Sequence, residues 1–381
     1  MNKRALLFVV GLSVVGSEAF AASDPELAAH VEALQKKGRL VEAVQALNAA
    51  VTRDPKNADA YNGLGNLRLA ANDAKLAAAY YMKAIALEPK RADFYSNLGV
   101  LEAKIDNPKG ALEDFDKALK LDPNLRAALI NSGDVLMGLK KFAEAEVFYD
   151  RMLKLSPDDA AAHYRKGLSL RSRDQRDAAI KSFAEAVRLQ PGYADARADL
   201  GFTYLDAGDY EKALRHFQVI NAQSKTFTRA RYGAGICLKE LGRFAEAAEE
   251  LRWAIVLDPD TPDYRVDLAF ALVKQKKPAL LAEAEQDLLR GLEAQPNNMR
   301  ANFLGGLFYD EIGQPEHAVH YYSQAVALKH PNPRVKLFLA QDFLKLGKKG
   351  TAMALLMDLV AKLPPEDPVA KQAKALLKAK S

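Results

Sequence analysis

The stretch ALEDFDKALKLDP, residues 111–123, decides the fold, because the chain writes nearly the same phrase again and again. It returns as AAAYYMKAIALEP ending at Pro89, AAIKSFAEAVRLQP ending at Pro191 and AAEELRWAIVLDP ending at Pro259. The opening alanine sets the register. Ala43, Ala77, Ala111, Ala145, Ala179, Ala213 and Ala247 stand 34 residues apart; Ala284 follows after 37, then Ala318 and Ala352 after 34 each. Gly65, Gly99, Gly133, Gly167, Gly201 and Gly235 keep the same period 12 residues ahead of the alanines, and Ala269, Gly306 and Ala340 continue them. Pro55, Pro89, Pro123, Pro157, Pro191, Pro259, Pro296 and Pro364 close eight of ten units; Lys225 replaces one proline and Pro331 comes one residue late.

A fixed period of this length signals one supersecondary unit stacked many times. Within a unit, apolar residues fall three and four apart, as in Tyr95, Leu98 and Leu101, which predicts an amphipathic first helix. Gly99 on that stripe, facing Ala111 on a second helix, allows close approach of two backbones. Between the helices stands a residue suited to left-handed geometry: Gly38, Asn72, Asp106, Asp174, Gly208, Gly242, Gly313 or Gly347, with Lys140 as an exception. Proline then stops the second helix, since it lacks an amide donor and clashes with the preceding turn. Isolated helices of this length are marginal in water, so each pair must lean on its neighbours.

This pattern resembles the tetratricopeptide repeat family, most fully in the third unit through Tyr95, Leu98, Gly99, Ala111, Phe115, Ala118 and Pro123. The resemblance covers residues 24–364. It implies an all-α, right-handed superhelical solenoid of about ten helix–turn–helix repeats. Their bounds are 24–57, 58–91, 92–125, 126–159, 160–193, 194–227, 228–261, 262–298, 299–332 and 333–365, with a capping helix at 366–381. Two units depart from the pattern: Val31 replaces glycine in the first, and three residues are inserted near KQKKPAL in the eighth.

Composition fits an ordinary folded protein. The 381 residues are 49% hydrophobic and 27% charged, with a net charge of +5. Acidic and basic residues are interleaved throughout, so the basic stripe of a nucleic-acid binder is missing. The N-terminus, MNKRALLFVVGLSVVGSEAFAASD, reads as an export signal: basic Lys3 and Arg4, an apolar core from Ala5 to Gly16, and Ala19-Phe20-Ala21 as a cleavage site. The apolar run falls short of the ~20 residues of a spanning helix. The expectation is cleavage after Ala21, no membrane span in the mature chain, and a periplasmic or secreted protein. The single Cys237 forms no internal disulfide.

Chemistry has no obvious carrier in this sequence. His317 and His320 are three apart, a spacing compatible with metal ligation, but no further ligand set accompanies them. Neither a phosphate loop nor a nucleophile or zinc-protease motif is found. The expectation is a non-enzymatic protein without cofactor or metal.

What remains is surface. In a stack of helix pairs the first helices line one face, and the residues three before and one after each motif glycine share it. Early units put polar or small residues there. Later units put large apolar ones: Tyr164 and Leu168, Phe202, Tyr232 and Ile236, Val266 and Phe270, Phe303 and Leu307. Asn97 and Asn131, two before the glycine, stand where some members of the family place an asparagine ladder that holds a peptide backbone. Ala127 and Ala161 occupy places where the family's carboxylate clamp has basic groups. The expected partner is a protein or extended peptide, held by a scaffold of a cell-envelope machine such as a pilus, motility, polysaccharide-export or outer-membrane assembly. The alternative is a periplasmic carrier of apolar client segments.

Overall fold

The computed structural model describes residues 25–380, so the export signal expected at residues 1–21 lies outside the described residues. Among these residues the chain has 21 α-helices, one short 3-10 turn and no strand. The first pairs are α1 (Pro25–Lys36) with α2 (Leu40–Arg53), α3 (Ala58–Ala70) with α4 (Ala74–Leu87), and α5 (Ala92–Lys104) with α6 (Pro108–Leu121). Next come α7 (Arg126–Gly138) with α8 (Phe142–Leu155), α9 (Ala160–Ser172) with α10 (Arg176–Leu189), and α11 (Ala194–Asp206) with α12 (Tyr210–Gln223). They are followed by α13 (Thr228–Glu240) with α14 (Phe244–Leu257), and α15 (Pro262–Val273) with α16 (Leu281–Ala294). The last are α17 (Met299–Glu311) with α18 (Pro315–Ala327), α19 (Arg334–Lys345) with α20 (Lys349–Lys362), and the single helix α21 (Pro368–Lys380).

The turn inside each pair is built by one residue with positive φ. Gly38, Asn72, Asp106, Asp174, Gly208, Gly242, Gly313 and Gly347 all adopt it, and so does Lys140 at φ 61°. The next amide then reaches back to the carbonyl five residues earlier, as in Asn107 N–H to Glu102 O (2.9 Å) and Lys141 N–H to Leu136 O (2.9 Å). This bond satisfies a helix-end carbonyl that would otherwise lack a partner. Lysine therefore fills the same geometric role as glycine here, at a conformational cost. The three extra residues of the eighth pair are absorbed in its turn, where Lys276 has φ 55° and Pro278–Leu280 form the 3-10 turn.

Second helices such as α2, α6 and α8 end two residues before the proline, and one residue outside the helix stands between. The residues preceding Pro55, Pro123 and Pro157 are Asp54 at φ −134°, Asp122 at φ −133° and Ser156 at φ −140°. Steric clash with the proline ring drives the preceding residue out of the helical region. In the ninth pair, where proline is late, α18 stops instead on Lys329 at φ 61°, with His330 N–H bonded to Ala325 O.

The described residues form two compact units that divide between Ala196 and Arg197. Within the first, Tyr81, Phe115 and Tyr149 are fully buried on α4, α6 and α8. Each ring lies over a motif glycine of its own pair: a Cβ on Gly99 would stand 2.6 Å from the Phe115 ring and 3.1 Å from the Ala111 carbonyl oxygen. The glycine thus makes room first for the aromatic ring and only second for the Ala111 backbone. Within the second unit, a continuous core runs from Ala198 to Leu339. There α21 lays Val369 and Ala373 on Leu337, Leu356 and Leu359, and keeps Lys371, Lys374 and Lys378 exposed. It closes the end of that core as a cap.

Candidate functional site

First helices touch their successors along each unit, α3 with α5 and α5 with α7 in the first, α13 with α15 and α15 with α17 in the second. Their shared face is where the expected partner residues are placed.

In the first unit the structure withdraws most of them from solvent. Asn97 and Asn131 are fully buried, and the Asn97 Nδ2 donates to Asn62 Oδ1 at 3.0 Å. Asn97 thus joins its first helix to the preceding one, and both asparagines are sunk below the surface that a partner's backbone would meet. Tyr164 is buried too, packed on Phe183 at 5.8 Å and on Tyr193 at 5.0 Å. Leu168, one turn on, is half-buried.

In the second unit the rings stay half-buried. Phe202 meets Phe217 edge-on at 4.9 Å, with the Arg229 guanidinium 5.4 Å from its centre. Phe270 lies beneath two ammonium groups, Lys239 at 5.8 Å and Lys274 at 5.5 Å. Phe303 packs among Tyr322, His330 and Phe338, with Leu307 one turn away and also half-buried. Tyr232 contacts Tyr264 at 4.7 Å, while Ile236 is buried. The second apolar stripe therefore rests on the core, with part of each large ring left in reach of solvent.

Charge occupies the centre of this face. Asp267 on α15 is fully buried and accepts from Lys239 Nζ at 2.8 Å, Arg300 Nη2 at 2.7 and 2.9 Å, and the Tyr232 hydroxyl at 3.0 Å. Burial alone would raise its carboxyl, but Lys239 and Arg300 hold it below the ordinary aspartate range. Burial, reinforced by Asp267, pushes the Tyr232 hydroxyl well up, so it remains a donor. A second pair repeats the design two pairs earlier, where Arg229 Nη2 donates to Asp199 at 2.7 Å. The first unit carries a related arrangement, Arg165 Nε on Asp134 at 3.1 Å with the Tyr149 hydroxyl at 2.9 Å. Sequence reasoning missed the Asp267 cluster. The signal was available: the residue two before the motif position is Asp199 before Gly201 in the sixth repeat and Asp267 before Ala269 in the eighth, and an arginine follows 30 and 33 residues later.

His216 on α12 stacks on Tyr204 at 5.6 Å with planes 4° apart. Burial, then the Arg197 and Arg215 charges, lowers its pKa from 6.5 to about 4. The folded state thus disfavours the proton that the unfolded chain accepts below pH 6.5. Stability of the second unit is expected to hold above that pH and to fall as pH drops from 6.5 towards 4, by on the order of 1 kcal/mol after solvent screening. Urea midpoints for the parent and His216→Gln at pH 7.5, 5.5 and 4.5 check this. Parallel curves for the two proteins would reject it.

Elsewhere the chemistry is sparse. Among the described residues, no group of three or more His, Cys, Asp or Glu could hold a metal ion. His317 and His320 are exposed, with His317 stacked on Tyr309 at 4.9 Å. Cys237 is buried, and burial pushes its thiol up to about 12. Among the described residues, no helix is long and apolar enough to cross a membrane.

Family models described as tetratricopeptide repeat or TPR repeat match residues 32–72, 58–91, 92–125, 127–159, 170–232 and 204–265, together more than half of the chain. No curated protein matches it. Among solved structures, YrrB, a TPR protein with an unusual peptide-binding site, is 27% identical, with 49% of this chain and 96% of YrrB covered at a TM-score of 0.42. A tetratricopeptide repeat protein from Parabacteroides merdae is 19% identical, with 65% of this chain and 98% of that one covered at 0.48. PilF of Pseudomonas aeruginosa is 22% identical, with 56% and 97% covered at 0.49.

Proposed function

We infer the role of this chain from one premise: it belongs to the tetratricopeptide repeat family, whose members mediate protein–protein interaction. We propose that it is exported and acts as a non-enzymatic scaffold in a bacterial cell-envelope assembly, holding a protein or extended peptide on the first-helix face of residues 197–380. One observation supports the choice of that face: Phe202, Tyr232, Phe270 and Phe303 are left only partly buried along consecutive first helices, where a stack needs only one buried stripe. Each ring already rests partly on the core, so a partner gains less from each than the roughly 1.5–3 kcal/mol of full burial, and several must act together. The burial of Asn97 and Asn131 favours recognition through partner side chains over recognition of its backbone.

Two measurements test this reading. Intact mass of protein from the native host is expected to give a chain starting at Ala22; a full-length cytosolic species alone would remove the export claim. Phe202→Glu combined with Phe270→Glu is expected to keep helicity by circular dichroism and to lose at least ten-fold in crosslinked partner recovered from envelopes. Unchanged recovery would move the site to another face. One stoichiometric partner supports the scaffold, and many substoichiometric clients would replace it with the carrier.

A further inference from the structure

In three pairs of the second unit one register position carries a base. The residue four before the motif glycine or alanine is Arg231 in the seventh pair, Arg265 in the eighth and Lys336 in the tenth. Each reaches a carboxylate on the second helix of its own pair: Arg231 Nη1 to Glu250 at 2.8 Å, Arg265 Nη1 to Asp287 at 2.9 Å, and Lys336 Nζ to Asp358 at 2.7 Å. Arg231 lies deepest of the three, 12% exposed, with the Trp253 ring 5.6 Å away. Asn221 on α12 donates to the same Glu250, so the guanidinium sits where α12 meets α14.

The ninth pair breaks this series. Asn302 holds the position of the base, and Tyr321 stands three after the motif alanine, where Glu250 and Asp287 stand in the earlier pairs. Between α16 and α18 there is a cleft of about 440 Å³, whose lining includes Leu292, Glu293, Asn302, His320, Tyr321 and Gln324. Asn302 is 3% exposed, and its Nδ2 donates to Pro296 O at 2.8 Å and Asn298 O at 2.9 Å. Among the described residues nothing donates to its Oδ1, which is left to the cleft. A buried acceptor without a donor is costly, so a ligand that supplies one gains by it. Glu293 is exposed at the rim and pairs with no base among the described residues. Arg290, one turn back on α16, is not among the lining residues. Tyr321 is held by stacking on Tyr309 at 5.5 Å with planes 5° apart, and Tyr309 is tied in turn to Glu285 through its hydroxyl.

An acceptor, a carboxylate and a ring thus converge where neighbouring pairs place their own cation. We propose that this cleft binds an alkylguanidinium, either a free small molecule or the arginine side chain of another protein. Its N–H groups donate to Asn302 Oδ1 and Glu293, its plane lies against Tyr321, and its alkyl stem rests on Leu292. A guanidinium suits this set because it is planar, carries five donors and stacks on aromatic faces. The site lies among the second helices and owes nothing to the rings of the first-helix face.

Ligand-observed NMR titration of the full chain with butylguanidinium, butylurea and acetyl-Gly-Arg-Gly-amide tests the proposal. Butylguanidinium is expected to bind about five-fold or more tighter than butylurea, which has nearly the same shape without the charge. Equal affinities would overturn the proposal. Binding of the arginine peptide as tight as that of butylguanidinium assigns the site to a protein side chain; much weaker binding of the peptide assigns it to a free small molecule. Asn302→Arg returns a base to the position and should fill the cleft from within, weakening butylguanidinium about ten-fold or more. Unchanged affinity in that variant would place the ligand elsewhere and overturn the assignment. Because Asn302 also ties down the start of α17, Glu293→Gln serves as a second variant at an exposed position. It is expected to weaken butylguanidinium about three-fold and to leave butylurea unaffected, with helicity intact by circular dichroism. No change for butylguanidinium, or equal weakening of both ligands, would overturn the proposal.

Discussion

Asp267→Ala is expected to destabilise the second unit by about 3–5 kcal/mol, because it removes a buried carboxylate shared by two cations and a hydroxyl while leaving Lys239 in place. The Lys239 side chain is 7% exposed, and without Asp267 its nearest acid is Glu240 at 3.4 Å. An ammonium so placed must either lose its proton or draw water inward. Asp267→Asn keeps an acceptor without the charge and should fall between parent and alanine. Replacing the set together, with Tyr232→Phe, Lys239→Met, Asp267→Leu and Arg300→Met, should cost less than the alanine change alone, since no charge is then stranded. Urea unfolding of the full chain with hydrogen exchange across residues 228–311 checks both claims. A loss below about 1 kcal/mol for Asp267→Ala would mean that water reaches Lys239 freely. The pH dependence has a definite sign. The folded carboxyl sits below its ordinary 3.8, so its contribution is complete above that pH and is lost as pH falls through the lower folded value.

Phe217→Ala should be comparably severe, about 3–5 kcal/mol, and more sharply local. The ring is fully buried and lies against two glycines, the motif Gly201 and Gly233, which stands two before the next motif glycine: a Cβ on Gly201 would stand 2.9 Å from it, and one on Gly233 2.4 Å. These glycines belong to α11 and α13, so a single ring on α12 wedges its own pair to the next. Alanine opens a cavity bounded by two helices that cannot collapse toward each other without shifting whole turns. In an array coupled only between neighbours, exchange should rise first at residues 198–240 and least near α21. Uniform loss of protection along the unit would show that it melts as one block.

The fold was legible because the repeat period is written in residues that are structurally obligatory. Gly99 must be small beneath Phe115, Asp106 must tolerate positive φ, and Asp122 must be extended before Pro123. Even Lys140, which breaks the residue pattern, keeps the backbone pattern, because the bond from Lys141 N–H to Leu136 O demands it. The face was less legible. Position along a helix tells which side a residue shares, but not how deeply neighbouring helices sink it; Asn97 and Ile236 stand on the expected side and are nonetheless buried. The Asp267 cluster depends on partners 28, 33 and 35 residues distant, which only a helix-by-helix alignment of the repeat would have brought together. The division at Ala196 and Arg197 left no mark in the sequence, since the alanine register continues unbroken from Ala179 to Ala213.

The left-handed turns have a consequence for how this protein can change over time. Lys140, Lys276 and Lys329 each hold an L-residue at φ between 55° and 61°, a conformation that costs roughly 1–2 kcal/mol relative to glycine. None of the three belongs to the core or to the face of rings and arginines. A mutation to glycine there would add stability locally while leaving every contact surface as it was. Such positions act as adjustable reserves: a lineage could take up a destabilising change on its binding face and offset it at a turn in the same repeat. Binding specificity and thermal resilience can then drift separately, repeat by repeat, in a chain whose architecture stays fixed.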